Sequence, residues 1–314
     1  MKKFNKIVLA GGNGYLGKVL TKHYSNLAEE IIVLARKPQP IKGNVRTVVW
    51  DGKNEGSWAD NLENATLLVN LCGKNVNCRY TTKNREEIIA SRVIPTRLLN
   101  RVVARLQNPP QVWINITSAT IYRHAEDRSQ DELTGEIGDG FSVEVCQQWE
   151  ASFFETPTPH TRKVALRMGI VLGLADGAFP RLLNLVKFGL GGKQGNGQQY
   201  VNWVHEQDAA LATQWILEHE GINGAINCTA PNAVKNKDLM QQLRKACRVS
   251  LGLPCPTWLL TLGAWLIGTE TELILKSRWV SPTLLEQSGF KFRYPTVDIA
   301  IEDLLKESKS ALTT

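Results

Sequence analysis

Long apolar runs, blocks of like charge and paired cysteines are all missing from this sequence of 314 residues. A membrane-spanning helix needs about 20 consecutive apolar residues. The most apolar stretch, 257–268, falls short of that and follows Pro254 and Pro256, so it reads as a buried helix. Lys and Arg outnumber Asp and Glu by 37 to 30, a formal charge of +7, but the cations are scattered. Without a run of five or six, nucleic acid is not an expected partner, and a phosphate-bearing ligand accounts for a few of the charges. The six cysteines, at 72, 78, 146, 228, 247 and 255, form no Cys-x-x-Cys pair and have no histidine cluster beside them. They read as reduced thiols of a cytoplasmic protein, with no metal site. The opening MKKFNK is basic in the manner of a signal peptide, yet the apolar segment behind it is short and runs into glycines, which makes it a strand. No membrane contact is expected.

What is present has the texture of a globular α/β protein. Hydrophobic residues are 43% and charged residues 21%, enough for an ordinary core in one large or two modest domains. Apolar, often β-branched runs at 6–10, 31–35, 46–50, 66–71, 112–117 and 163–170 predict strands covered on both faces. Apolar residues at helical spacing fill the gaps, as in 15–27 and 82–106, where Pro95 predicts a kink or two helices. This alternation predicts an α/β fold, a doubly wound parallel Rossmann sheet with a smaller, mostly helical C-terminal lobe. We expect a dinucleotide-binding domain over 1–173, to which a segment near 200–230 returns. A substrate-side and C-terminal lobe should occupy 174–314. Glycines at 189, 191, 192, 195 and 197 mark an excursion from the sheet and a candidate lid.

The strongest motif follows the first strand: Gly11, Gly12, Asn13, Gly14, Tyr15, Leu16 and Gly17. A glycine pattern alone is weak, but this one leaves a strand and opens a helix. Gly11 suits the sharp turn, Gly14 lets the backbone approach a pyrophosphate, and Gly17 lets the helix pack close to the strand. Free N–H groups at the helix start then hold the phosphates. At the end of the second strand an acid would serve the ribose 2′-hydroxyl of NAD. This chain has Ala35, Arg36 and Lys37 there, and a guanidinium grips a 2′-phosphate that a carboxylate would repel. The expected cofactor is therefore NADP(H).

With AGGNGYLG, LARKP, LVNLCGKNV, EIIASRV, TSATIY, VCQQWE, RMGIVLG, FGLGGKQGNGQQYVNWVHEQD and SGFKFRYP, the chain resembles the extended short-chain dehydrogenase/reductases. More closely it resembles their atypical, epimerase-like YfcH-type branch, which has its own C-terminal domain. It departs from the family in having Ala10 before the first glycine and Cys72 in place of alanine. The resemblance implies further cofactor contacts at Leu71 and Cys72, at Glu87 and Arg92, and at Val171 near the nicotinamide. Read without the family, Glu87 and Arg92 are surface charges and Val171 is strand-end packing.

The chemistry of extended reductases rests on a Ser or Thr and a Tyr-x-x-x-Lys pair that exchanges a proton with a substrate hydroxyl. Ser118 supplies the hydroxyl. Where the pair would stand, this chain has Cys146 and Glu150, a replacement the atypical branch shares. A carboxylate disfavours a thiolate, so Cys146 reads as buried packing. Tyr122 is the tyrosine nearest Ser118 in sequence and the candidate proton donor, with His124 close by. His205 lies in a stretch that closes over the substrate side in relatives. Asp208 should cap the helix behind it, and Arg167 should reach a substrate anion or pair with a nearby acid. Two functions remain open. One is an NADP(H)-dependent epimerase-like or oxidoreductase enzyme with a substituted acid, acting on a small molecule the sequence does not identify. The other is a non-catalytic NADPH-binding regulatory or sensing module with a protein partner. A homodimer is compatible with either.

Overall fold

The computed structural model describes residues 3–38, 40–268 and 270–310. The first half alternates as its hydrophobic pattern predicts: β1 (Phe4–Ala10), α1 (Tyr15–Tyr24), β2 (Ala28–Ala35), β3 (Val45–Val49), β4 (Leu67–Asn70), α2 (Thr82–Val103), β5 (Val112–Ser118), α3 (Phe141–Phe154) and β6 (Arg162–Met168). There follow β7 (Ile170–Leu172), α4 (Ala178–Lys187), β8 (Tyr200–Val201), β9 (Trp203–His205), α5 (Glu206–Glu218) and β10 (Gly224–Cys228). The chain ends with β11 (Val234–Lys235), α6 (Asn236–Cys247), α7 (Thr257–Ile267), α8 (Glu272–Leu275), α9 (Thr283–Gln287) and α10 (Val297–Ser310).

Seven strands pair in the order β10-β6-β5-β4-β1-β2-β3, every pair parallel. This is the doubly wound Rossmann sheet. Alternate side chains of each strand feed opposite cores. Ile7, Leu9, Ile31 and Val33 pack with Leu20 and Tyr24 of α1 and Ile216 of α5. Val8, Ile32, Leu34 and Leu68 pack with Leu98, Leu99 and Val102 of α2. A separate core joins Phe179 and Leu183 of α4, Met240 and Leu243 of α6, and Ile301 and Leu304 of α10. Strand order reverses between β1 and β4, so their carboxyl ends open the crevice in which such sheets bind ligands.

Several expectations need correction. The predicted strand over 163–170 breaks at Gly169, whose N–H donates to Cys228 O at 3.0 Å. β7 then leaves the main sheet and pairs with β9. Pro95 does not split α2, which runs unbroken for 22 residues. Side-chain donors serve the carbonyls of the preceding turn: Thr96 Oγ1 donates to Arg92 O at 2.7 Å and Arg92 Nη1 to Ile88 O at 3.0 Å. The apolar helix α7 is not buried. In its first two turns Trp258 is 69% exposed and Leu262 48%. The glycine-rich segment is not a free lid, since Gly192 N donates to Leu253 O and Gly195 N to Cys255 O.

Candidate functional site

The glycine loop is built around close approaches. Gly11 has φ +73°, and a Cβ there would stand 2.9 Å from Cys72 Sγ. A Cβ on Gly17 would stand 2.1 Å from Gly12 O. Gly12 is buried while Asn13 and Gly14 are exposed, and a Cβ on Gly14 would meet nothing within 4 Å. Gly14 is also the N-cap of α1, with no side-chain cap and no acid in the first turn. The first-turn N–H groups of Tyr15, Leu16 and Gly17 thus face an open space with no intrahelical acceptor. That cradle fits a diphosphate. Arg36 is exposed just past β2. Its charge acts on the Cys72 thiol, which burial pushes up to about 12. Leu71 N donates to Ala10 O at 2.8 Å, which draws the ends of β1 and β4 together.

The other cofactor candidates divide. The Tyr15 side chain turns away from the cradle and donates to Glu206 across Gly173, so only its backbone faces a phosphate. Leu16 and Val171 pack on the core below the crevice. Glu87 is exposed and pairs with Lys74 at 2.5 Å. That hydrogen bond and charge hold its carboxyl below the usual range. Arg92 spends donors on Lys74 O and Ile88 O, each at 3.0 Å, and lies over the Trp149 ring at 5.0 Å. It fastens the loop after β4.

At the ends of β5, β6 and β10 a buried network forms. Glu150 accepts from Arg167 Nε at 2.9 Å and Nη2 at 2.7 Å, and from Thr117 Oγ1 at 3.0 Å. Arg167 Nη1 donates to Tyr122 Oη at 2.9 Å, and that hydroxyl donates to Asn227 Oδ1 at 3.1 Å. Tyr122 is 2% exposed. Burial raises its phenol above the ordinary range, against the pull of Arg167. The expectation of a phenol presented beside Ser118 therefore gives way to one turned into the interior. Ser118 is half-buried at the end of β5 and accepts from Thr120 N at 3.2 Å. Cys146 is buried, and burial followed by Glu150 pushes its thiol up to about 12.

Two further expectations change. His205 does not face a substrate: it is fully buried, caps α5 by accepting from Gln207 N at 3.2 Å, and stacks on Tyr294. Asp208 is not the cap; it accepts from Arg293 N and Tyr294 N, both at 2.9 Å. His124 Nδ1 accepts from Ser277 N at 3.1 Å. The last contact belongs to a segment that the sequence did not single out. Ser277 Oγ donates to Ala125 O at 2.6 Å and Arg278 N to Tyr200 O at 2.8 Å, which fixes Lys276 over the end of β5. Its Nζ lies 3.4 Å from Thr120 O. Burial and then Arg278 lower its ammonium pKa, while Glu272, Cys146 and Asp139 oppose them. Lys276 lies far from every motif in sequence, so no local pattern reveals it.

A glycine cradle after β1 and a hydroxyl at the end of β5 thus sit on one Rossmann sheet, with a separate core of α4, α6 and α10 built from the later part of the chain. A family model described as NAD dependent epimerase/dehydratase family matches residues 7–140, and one described as Domain of unknown function (DUF1731) matches 255–304. The Epimerase family protein YfhF of Bacillus subtilis is 28% identical over 97% of this chain and 99% of its own length. The crystal structure of human epimerase family protein SDR39U1 (isoform2) with NADPH superposes with a TM-score of 0.85 at 27% identity, covering 96% of this chain and 99% of that one. A nucleoside-diphosphate sugar epimerase from Corynebacterium glutamicum gives 0.77 at 29% identity; 96% of this chain matches 58% of that longer one. The chain is thus similar over nearly its whole length to epimerase family proteins, with an epimerase/dehydratase-like first part and a C-terminal segment that matches a separate family model.

Proposed function

We propose that the chain binds NADP(H) and acts as an epimerase-like oxidoreductase on a small hydroxyl- or carbonyl-bearing molecule, with its proton donor outside the Tyr-x-x-x-Lys position. The observation that carries the cofactor choice is an exposed Arg36 just past β2, in a chain whose α1 starts at the open, uncapped Gly14. The human relative's complex with NADPH supports the same choice. The bound cofactor supplies or accepts a hydride. Ser118 holds the substrate oxygen, and Lys276 gives that oxygen its proton in the reductive direction. Burial favours this use, because a lysine whose ammonium is less firmly protonated releases its proton more readily. Arg167 and Glu150 hold the strand ends on which Ser118 stands.

The second reading, a cofactor-binding sensor without turnover, is favoured by one observation. The position of the usual tyrosine is filled by a buried, neutral Cys146, and that of the lysine by Glu150, locked to Arg167. A panel of nucleotide sugars and simple carbonyl compounds, with NADPH absorbance and product analysis, separates the readings. The enzyme reading expects turnover that Ser118→Ala and Lys276→Met each reduce by about a hundredfold or more, with NADPH binding retained. It also expects reductive activity to fall as pH rises at values below those of an ordinary lysine, about 10.4. NADPH binding without turnover anywhere in the panel favours the sensor.

A further inference from the structure

The small lobe carries an apolar strip and a cationic pocket side by side, and the cofactor site uses neither. Phe188 is 79% exposed, and Leu190, Leu251, Leu253, Trp258 and Leu262 are all exposed. They form one surface because 188–194 is laced to 251–255. Leu253 N donates to Gly189 O at 2.9 Å, Gly192 N to Leu253 O at 3.1 Å, and Cys255 N to Lys193 O at 2.9 Å. α7 follows at once, its first turn closed by Leu260 N on Pro256 O at 3.0 Å. Trp258 and Leu262 stand four residues apart on one face of that helix.

Beside the strip lies a pocket of about 420 Å³ lined by Lys193, Lys237, Arg244, Asp238 and Gln241, with Gly192, Gly252 and Pro254 as its backbone wall. Three cations face one acid. Arg244 Nη1 donates to Gly191 O at 2.5 Å, which fixes the guanidinium at the pocket edge. Gly252 makes room for it, since a Cβ there would stand 2.7 Å from Nη1. Lys187, Lys245 and Arg248 add exposed charge around the same lobe.

We propose that this face docks on the surface of an anionic phospholipid bilayer, the apolar strip entering the acyl boundary while the cationic pocket receives a phosphate headgroup. No helix among the described residues is long and apolar enough to cross a membrane, so the contact is peripheral, and it amends the expectation of no membrane partner. Apolar side chains ringed by Lys and Arg are the composition of interfacial segments, which bind through buried apolar area and attraction to anionic lipid together. Charge selects this occupant over a second copy of the chain. A symmetric pair using this face would press Lys193, Lys237 and Arg244 against the same residues of its mate.

The test is co-sedimentation of the full chain with vesicles of phosphatidylcholine alone and of phosphatidylcholine with a third phosphatidylglycerol, at low and high salt. Binding should require phosphatidylglycerol and weaken with salt. Trp258 emission, isolated as the difference from Trp258→Phe, should shift to the blue. The double variants Lys193→Glu/Lys237→Glu and Trp258→Ser/Leu262→Asp should each weaken partitioning by about tenfold or more. All four positions are exposed, and unchanged circular dichroism and NADPH affinity would show that the fold is intact. The proposal is overturned by absence of binding to anionic vesicles, by equal binding to phosphatidylcholine alone, or by binding that neither double variant weakens. It also falls if inorganic phosphate binds the pocket while vesicles do not, which would make it a soluble-anion site. A dimer in light scattering that Leu262→Asp dissociates would instead assign the face to self-association.

Discussion

Arg36 and Glu150 show how much one charge can decide. Arg36 is exposed just past β2, so its guanidinium is available to a 2′-phosphate at little desolvation cost. NADPH should bind about tenfold or more tightly than NADH, a difference of about 1.4 kcal/mol. Arg36→Asp should erase that preference and leave NADH binding largely intact, as fluorescence titration of both cofactors would reveal. Equal affinities in the parent chain would count against the assignment. Glu150 is the opposite case. Its side chain is 10% exposed and that of Arg167 11%, so neither can turn to water. Glu150→Ala would strand the Arg167 cation and should cost about 3–5 kcal/mol in urea unfolding. Glu150→Lys, which puts the family's lysine back, should be at least as damaging, because it sets like charges together. A chain that accepts Glu150→Lys with unchanged stability would mean that the ion pair is not holding these strands.

The sheet's elements were legible because their signal is periodic and local. Runs such as 6–10 and 31–35 are apolar without interruption, and β1 and β2 form over them. The glycine loop was legible too, since its demands fall on consecutive residues. Contacts made across the sheet were not. Thr117, Arg167 and Asn227 meet because β5, β6 and β10 are in register, Thr117 opposite Arg167 and Arg167 opposite Asn227, and register between distant strands leaves no local mark. The same holds for Lys276, and for the exposure of α7, whose composition alone says buried. His205 is a further case with a measurable consequence. It ends β9 and caps α5, fully buried, with Nε2 3.5 Å from Asp303 Oδ2 and the Tyr294 ring stacked at 3.7 Å. Burial pushes its pKa down to about 4, against the pull of Asp303. A depressed histidine pKa means that the unfolded chain binds the extra proton, so stability is full above about 6.5 and is lost as pH falls toward about 4. The loss attributable to this group is at most about 3 kcal/mol. Urea midpoints across this range should fall with acid, and less steeply in His205→Asn. Parallel pH profiles for the two proteins would remove His205 from the account.

On the scale of the whole molecule, the chain passes back and forth between the sheet and the C-terminal lobe. The chain leaves the sheet after β6, builds α4, β8 and β9, returns to add β10 at the edge, and leaves again for α6 to α10. Cross-ties reinforce this path. Asp208 of α5 accepts the N–H groups of Arg293 and Tyr294, Trp215 Nε1 donates to Ser288 Oγ at 2.9 Å, and Gln130 N donates to Trp279 O at 2.8 Å. An acid on the sheet side thus organises the segment leading into α10, and the segment after α8 is bound to the loop after β5. Unfolding of either lobe should therefore expose the other, and heating should give one transition. NADPH held only by the sheet side would then stabilise the entire chain. At a hundredfold excess over its dissociation constant the gain is about 2.7 kcal/mol, which for a chain of this size raises the Tm by roughly 5 °C. Far-UV circular dichroism, which reports mainly the helices of both lobes, and calorimetry should move together by that amount. Two resolved transitions, with only one displaced by NADPH, would show that the C-terminal lobe folds independently and that the cross-ties do not couple it to the sheet.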